Sequence, residues 1–336
     1  MTTRPLNSVR VQGRLQREEG GHLHEQNSVV SEGNTIDIKP EGHTSVFLKE
    51  VVEGLDIHAT DLVLDATAGQ GGHSFAILSH NPGVTVLALD ADAEAVAMTK
   101  KRLEKFKNRA VVVESNFEHV EKVLHAQGKK EIQKAIFDLG WNVGQLASGR
   151  GFSFKHDEPL SMSYGKEPAS GFNAREIVNE WNEKTLADVF FGYSEEQYAR
   201  RIAKAIIDRR SFQPIETTIE LAELVRDSVP AGYRHGRIHP ATKTFQALRI
   251  AVNDELGVIE RGLEGTWKHL ACGGRIAVIS FHSTEDRVVK QLFQKFVKDS
   301  GRLVHKKPLV PTREEIIHNP RARSAKLRIV EKICEQ

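Results

Sequence analysis

Cysteine is nearly missing from this chain: Cys272 and Cys334 are the only two in 336 residues. Two cannot build a disulfide framework or a cysteine-based zinc site, and their scarcity fits a reducing compartment. Also lacking is any apolar run near the roughly 20 residues that span a bilayer, and the amino terminus has no apolar stretch of signal-peptide type. A cytoplasmic protein without a membrane partner is expected. A surplus of charge of either sign is missing too. The 47 Lys and Arg stand against 45 Asp and Glu, a formal charge of +2, so the average says little about partners and only the distribution informs. No internal repeat or low-complexity tract occurs. What is present is a hydrophobic share of 39%, over a length that suits one large domain or two ordinary ones.

Residues 1 to 41 are polar, without helical or alternating periodicity, and read as a mostly disordered extension. From His43 the pattern tightens. "HTSVFLKEVVEGLDI" has apolar residues at helical spacing, and the strand candidates "DLVLDAT", "VTVLALD" (84 to 90), "AVVVESN" (110 to 116) and "KAIFDLG" (134 to 140) follow, with the helix "AEAVAMTKKRLEKF" (93 to 106) among them. Buried runs alternating with helices argue a parallel, doubly wound α/β sheet. After Gly140 the rhythm breaks: residues 141 to 171 are rich in Gly, Ser, Asp and Pro, and three amphipathic helices follow, "AREIVNEWNEKTLADVFF", "SEEQYARRIAKAIIDRR" and "TTIELAELVRDSV". The α/β pattern resumes with one long helix, "TFQALRIAVNDELGVIERGLEGTWKHL", and the strands "GGRIAVISFHS" (273 to 283) and "LRIVEKI" (327 to 333). One sheet is thus expected from residues 42–140 and 245–336, with a mostly helical insertion, 141–244, between them.

The stretch "LDATAGQGGHSFAIL" places backbone amides and a helix amino terminus at the carboxyl edge of the sheet, where ligands of open α/β folds bind. A phosphate-binding P-loop needs Lys and then Ser or Thr after its last glycine, but His73 and Ser74 follow Gly72 here,. A dinucleotide fingerprint needs G-x-G-x-x-G, whereas Gly69, Gly71 and Gly72 are spaced G-x-G-G, which weakens that reading without removing it. S-adenosylmethionine fits better: it is cationic at sulfur and carries an amino-acid end, which Asp65 could meet through its ammonium while the glycines admit a close backbone approach. Asp90, ending the second strand, is placed for the ribose hydroxyls; Asn116 and Phe117, ending the third, offer an amide and an apolar face to adenine; Asp138 ends the fourth. Taken singly, the glycines are a tight turn, Asp90 a helix cap and Phe117 a core residue. Their coincidence at four successive strand ends is what a ligand crevice predicts.

Two basic stretches stand out. Tyr233 to Asn253 holds Arg234, Arg237, Lys243 and Arg249 with no acid, and Arg302 to Arg328 holds eight Lys or Arg against Glu314 and Glu315. Such stretches suit a polyanion backbone, nucleic acid above all, although charge runs are also ordinary solvated faces. His73, His239 and His282 are not at metal-ligand spacing, so no metal is expected.

The segments "HTSVFLKEVVEGL", "DATAGQGGHS", "DLGWNVGQL", "GRGFSF", "HPATKTFQALRIAVNDEL", "GGRIAVISFHSTEDRVVK" and "NPRARSAKLRI", in order from His43 to the carboxyl terminus, resemble the bacterial 16S ribosomal RNA cytosine-N4 methyltransferase family (RsmH, also called MraW). The resemblance implies a Rossmann-like class I S-adenosylmethionine-dependent methyltransferase with an inserted helical substrate-recognition domain. It implies a cytidine in the decoding (P-site) region of 16S rRNA as target, and 16S rRNA or the 30S subunit as partner; a homodimer stays open. It places cofactor contacts at Gly71, Gly72, His73, Asp90, Phe117, Asp138 and Gln145. Asp138 is also the candidate acceptor for the amine hydrogens, and Trp141 or Phe152 could stack on a base turned out of its helix. Two departures from the family pattern bear on the substrate wall. Trp141, Asn142, Val143 and Gly144 stand where Val-Ser-Ser-Pro is usual, and Ser161, Met162 and Ser163 where Asp-Met-Arg is usual. A cofactor-binding assembly factor with altered chemistry is therefore the alternative reading.

Overall fold

The computed structural model describes residues 45–140, 149–165 and 167–334, all within one unit spanning Ile38–Gln336. The polar extension and the segment carrying Trp141 and Gln145 lie outside the described residues. The first half runs α1 (Leu48–Leu55), β1 (Leu62–Asp65), α2 (Gly72–His80), β2 (Thr85–Asp90), α3 (Ala93–Leu103), β3 (Ala110–Glu114), α4 (Val120–Ala126) and β4 (Ile132–Asp138). A helical stretch follows: α5 (Ala174–Glu180), α6 (Glu183–Ser194), α7 (Ala199–Arg210), α8 (Thr218–Ser228), the single turn α9 (Ala231–Arg234) and α10 (Ala241–Asn253). The chain then returns through α11 (Glu255–Lys268), β5 (Leu270–Ser280), α12 (Ser283–Asp299), β6 (Gly301–Leu303), α13 (Arg313–His318) and β7 (Lys326–Lys332).

The strands form one sheet of order β3-β2-β1-β4-β5-β7-β6. β1 to β5 are parallel to one another, with Val63 and Leu64 of β1 and Ala135 and Ile136 of β4 wholly buried, as strands covered on both faces require,. β7 runs antiparallel between β5 and β6, a departure from the all-parallel expectation. An apolar run reports burial and not direction, so the reversal leaves no mark in the pattern; β6 is too short to show one. Leu64, Leu87, Phe137 and Val278 pack one face of the sheet against α4, α11 and α12. Val63, Val86, Ile136 and Ile279 pack the other against α1 and α2. A third core, from Leu160 to Val252, belongs to the helical stretch, and α10 buries Phe245, Leu248 and Val252 in it.

Two expected helices are each broken in two. Asp254 takes a left-handed conformation (φ 46°) and ends α10 before α11 begins, while Trp181 turns extended and Asn182 caps α6 through Thr185 N–H,. Apolar periodicity continues across both breaks because both halves still face a core. The strand expected to reach Ser283 ends at Ser280, where His282 caps α12. Cys272 and Cys334 are disulfide-paired, with Cα atoms 5.7 Å apart. The pair lies at the far end of β5 from Ile279.

Candidate active site

The order of the sheet reverses on either side of β1, and a cleft opens beyond the carboxyl ends of β1, β2, β3 and β4, at the switch point where open α/β folds bind ligands,. Its first wall is the glycine turn. Gly69 (φ 53°) and Gly71 (φ 75°) are left-handed, a conformation that costs glycine no Cβ clash,. A Cβ on Gly72 would stand 2.0 Å from Ser45 Oγ, so glycine there lets the segment before α1 close over the turn without displacing the serine hydroxyl. Gly69, Gly72 and His73 line the cleft. Gly71 shapes the turn from behind, against Thr99, and is not among the lining residues.

Asp65 also lies beneath this turn. It is 1% exposed, and its carboxylate accepts from Ser74 Oγ at 2.6 Å and from Thr67 N–H at 3.3 Å. Burial raises its pKa above the usual carboxylate range, against opposing His73 and Ser74. The geometry makes it a strut for the turn, away from the lining where a ligand's ammonium would sit.

Asp90 closes β2 and accepts from Gly69 N–H at 2.8 Å and Asp92 N–H at 2.9 Å. Each carboxylate oxygen keeps further acceptor capacity toward the cleft, which suits paired ribose hydroxyls. Burial raises this carboxyl as well, opposed by those two backbone donors. Asn116 caps the turn after β3, and Phe117 beside it stands edge-on to Phe137 with ring centroids 5.4 Å apart. A Cβ on Gly262 would lie 2.4 Å from the Phe117 ring, so glycine there admits α11 against the aromatic.

Asp138 ends β4 at the centre of the cleft. Its backbone N–H donates to Thr67 Oγ1 at 2.6 Å, Oδ2 lies 3.8 Å from His73 Nδ1, and Oδ1 is buried without a hydrogen-bond partner. Burial pushes the carboxyl up to about 6, with His73 opposing and Asp65 reinforcing the shift. An orphaned buried acceptor is costly, about 1–3 kcal/mol, and a donor from a ligand would relieve it. His73 is itself buried, with Nε2 3.1 Å from the carbonyl of Val46, so it ties the turn to the segment over it.

The far wall was not legible as a site in the sequence. Tyr164, Asn253, Glu255, Phe281, Glu285 and Arg321 line it. Arg249 donates to both oxygens of Glu255, at 2.8 and 3.0 Å, and Tyr164 Oη donates to the same carboxylate at 2.8 Å. Burial drives the Tyr164 phenol well above its ordinary value. Glu255, His282 and Glu285 bring three ligand atoms within 4.8 Å of one another. Glu255 is nonetheless neutralised by Arg249, and Glu285 accepts from Phe281 N–H at 2.8 Å. Phe152 stacks on Tyr164, with ring centroids 5.4 Å apart, and is not among the lining residues. Ser161, Met162 and Ser163 do not line the cleft either, and Met162 is wholly buried in the helical core. The basic stretches divide: Arg249 is consumed by Glu255, and Lys326 and Arg328 by Asp286, whereas Arg321 reaches the cleft.

The model of the MraW methylase family matches residues 41–333. The chain belongs to the MraW methylase family. Its relatives include the ribosomal RNA small subunit methyltransferase H of Synechococcus elongatus, 44% identical over 88% of this chain and 96% of that one. Those of Sulfurihydrogenibium, 44% identical over 87% and 99%, and of Trichormus variabilis, 45% identical over 87% and 92%, carry the same description. The methylase thus joins a Rossmann-like, doubly wound sheet to its family's methyl-transfer chemistry, and S-adenosylmethionine is its cofactor. The cleft suits that molecule: a glycine turn without a phosphate-binding lysine, carboxylates at Asp90 and Asp138 facing a cation, and an aromatic beside Asn116. Among the described residues of this methylase, no helix is long and apolar enough to cross a membrane.

Proposed function

We propose that this methylase transfers a methyl group to the exocyclic N4 of a cytidine in the decoding (P-site) region of 16S rRNA, in the cytoplasm, acting on the small ribosomal subunit or its RNA. Small-subunit rRNA enters from the description of the relatives, and the amine as acceptor from the orphaned oxygen of Asp138, the observation that carries this reading.

Gly69, Gly72 and His73 hold the amino-acid end, Asp90 the ribose and Phe117 the adenine, with Gln145 a further contact outside the described residues. The cofactor, when bound, supplies a methyl carbon made electrophilic by its sulfonium. An exocyclic amine of cytosine is a poor nucleophile because its lone pair is delocalised into the ring. Asp138 accepts one of its N–H hydrogens, holds the nitrogen in line and stabilises the positive charge that develops on it. The methylated amine then sheds a proton, for which the Asp138 carboxylate is the nearest base; direct transfer needs no covalent enzyme intermediate.

Incubation with radiolabelled S-adenosylmethionine and unmethylated 30S particles or 16S rRNA, followed by nucleoside analysis, tests the reading. N4-methylcytidine is the expected product. Its absence with cofactor and subunit binding intact would replace transfer with an assembly role.

A further inference from the structure

We infer that the end of the cleft between Asp138 and Phe281 is the seat of the target nucleobase, with the ring of Phe281 as its stacking platform. This rests on the reading of the cleft as a methyl-transfer site and adds the residue that orients the acceptor base.

The position of Phe281 follows from the sheet. Asp138 is in register with Ile279 on the neighbouring parallel strand, so Phe281 emerges two residues further on, level with Gly140, and lines the same cleft as Asp138. Its backbone is fixed there. Phe281 N–H donates to Glu285 Oε2, and Glu285, 2% exposed, forms a capping box with His282 at the start of α12. Burial would raise the Glu285 carboxyl, but the adjacent His282 ring, with Nε2 3.1 Å from Glu285 Oε1, and the Phe281 N–H outweigh that and hold it lowered. On the other side, β4 leaves the sheet through Gly140 (φ 122°), whose absent Cβ would stand 3.1 Å from Phe281 Cδ2. The ring is therefore held between a rigid helix start and the strand that carries the acceptor.

Three aromatic rings line the cleft among the described residues: Phe117, Tyr164 and Phe281. Phe117 stands against Phe137 beside the adenine position. Tyr164 has one face on Phe152 and its hydroxyl on Glu255. Phe281 packs against the core between the sheet, α1 and α2, is only partly buried, and has no ring stacked on it among the described residues. A base laid on its ring can present its edge to Asp138. The orphaned Oδ1 accepts and cannot donate while ionised, so it selects an edge bearing an amine over one bearing a keto oxygen,. Stacking and amine selection together describe a base with an exocyclic amine, cytosine among them, and disfavour uracil.

The test compares Phe281→Leu, which keeps apolar bulk but removes the ring face, with Phe281→Trp, which keeps a face. Tritiated S-adenosylmethionine and unmethylated 30S particles give kcat and KM, calorimetry the cofactor affinity, filter binding the subunit affinity, and circular dichroism the melting temperature. Base-on-aromatic stacking sets the expected scale: Phe281→Leu loses roughly 10- to 100-fold in kcat/KM, mostly in kcat. Cofactor affinity, subunit affinity and melting stay near wild type, and Phe281→Trp retains most of the rate. Wild-type kcat/KM in Phe281→Leu overturns the proposal while leaving the methyltransferase reading standing. So does a loss shared by Phe281→Trp and accompanied by weaker cofactor binding, which marks Phe281 as packing alone. A wild-type enzyme that makes no N4-methylcytidine overturns the underlying reading, and the proposal with it.

Discussion

Asp138 is the residue on which chemistry and burial meet most directly. Its carboxyl is pushed up to about 6 by burial, and only the ionised form accepts an amine hydrogen at both oxygens. Methyl transfer, followed as kcat/KM against pH, is expected to fall as pH drops below about 6, and the Asp138→Asn variant should lose that limb. The same variant should lose roughly 10²- to 10³-fold in kcat, the scale of one removed transition-state hydrogen bond. Stability runs the other way. An acid whose pKa is raised in the folded state above 3.8 keeps a proton that the unfolded chain releases, so its contribution is present at low pH and is lost as pH rises through about 6,. Urea denaturation of Asp138→Asn should show a flatter profile over that window. At Asp90 the prediction concerns binding: Asp90→Ala removes the proposed ribose acceptor and the partner of Gly69 N–H, and calorimetry should show cofactor affinity falling by roughly 10- to 100-fold.

Among the elements, α10 and α11 carry the coupling between the helical core and the cleft. The Arg249–Glu255 pair, with side chains 11% and 12% exposed, spans the break at Asp254, and Asn253 accepts from Tyr164 N–H at 2.9 Å. Removing one member of a buried pair strands the other, so Arg249→Met should cost about 3–5 kcal/mol in urea denaturation. Replacing Glu255 with Gln in the same chain should recover part of the loss. Gly262 tests the opposite face of α11. Alanine is about 1 kcal/mol better than glycine in a helix interior. Here its Cβ meets the Phe117 ring at 2.4 Å, and overpacking of this kind costs about 1–3 kcal/mol. Gly262→Ala should therefore gain no stability and should weaken cofactor binding; a more stable variant with unchanged affinity would mean that Phe117 yields freely.

For the whole molecule, the cleft takes residues from both chain segments that build the sheet and from the edge of the helical core, so a ligand in it should couple the cores. Trp181 packs against the helical core and Trp267 lies in a sheet core. Cofactor at 100 times its dissociation constant adds about 2.7 kcal/mol to the folded state. With Trp141 replaced by Phe in both, denaturation followed by fluorescence in Trp267→Phe, which then retains Trp181 alone, should shift as far as in Trp181→Phe, which then retains Trp267 alone. A shift confined to the Trp267 signal would confine the coupling to the sheet.

Burial on two faces leaves its mark locally, as apolar runs at β1, β2, β4 and β5, and glycine spacing with a strand-end acid is equally local. The turn at Gly69 to Gly72, Asp90, Phe117 and Asp138 were therefore legible before any coordinates, as was the alternation of a doubly wound sheet interrupted by helices. What depended on distant pairing was not legible. The reversal of β7, the break at Asp254 inside continuous apolar periodicity, and the meeting of Tyr164, Glu255, Phe281 and Glu285 across the cleft rest on contacts between residues far apart in the chain. Asp65 shows the same division within one residue: its charge and its place at a strand end were plain in the sequence, but packing turned the carboxylate under the glycine turn to Ser74. Local propensity and period determined the elements and the residue types at the strand ends; only tertiary packing decided which of those groups face the ligand and which serve the frame.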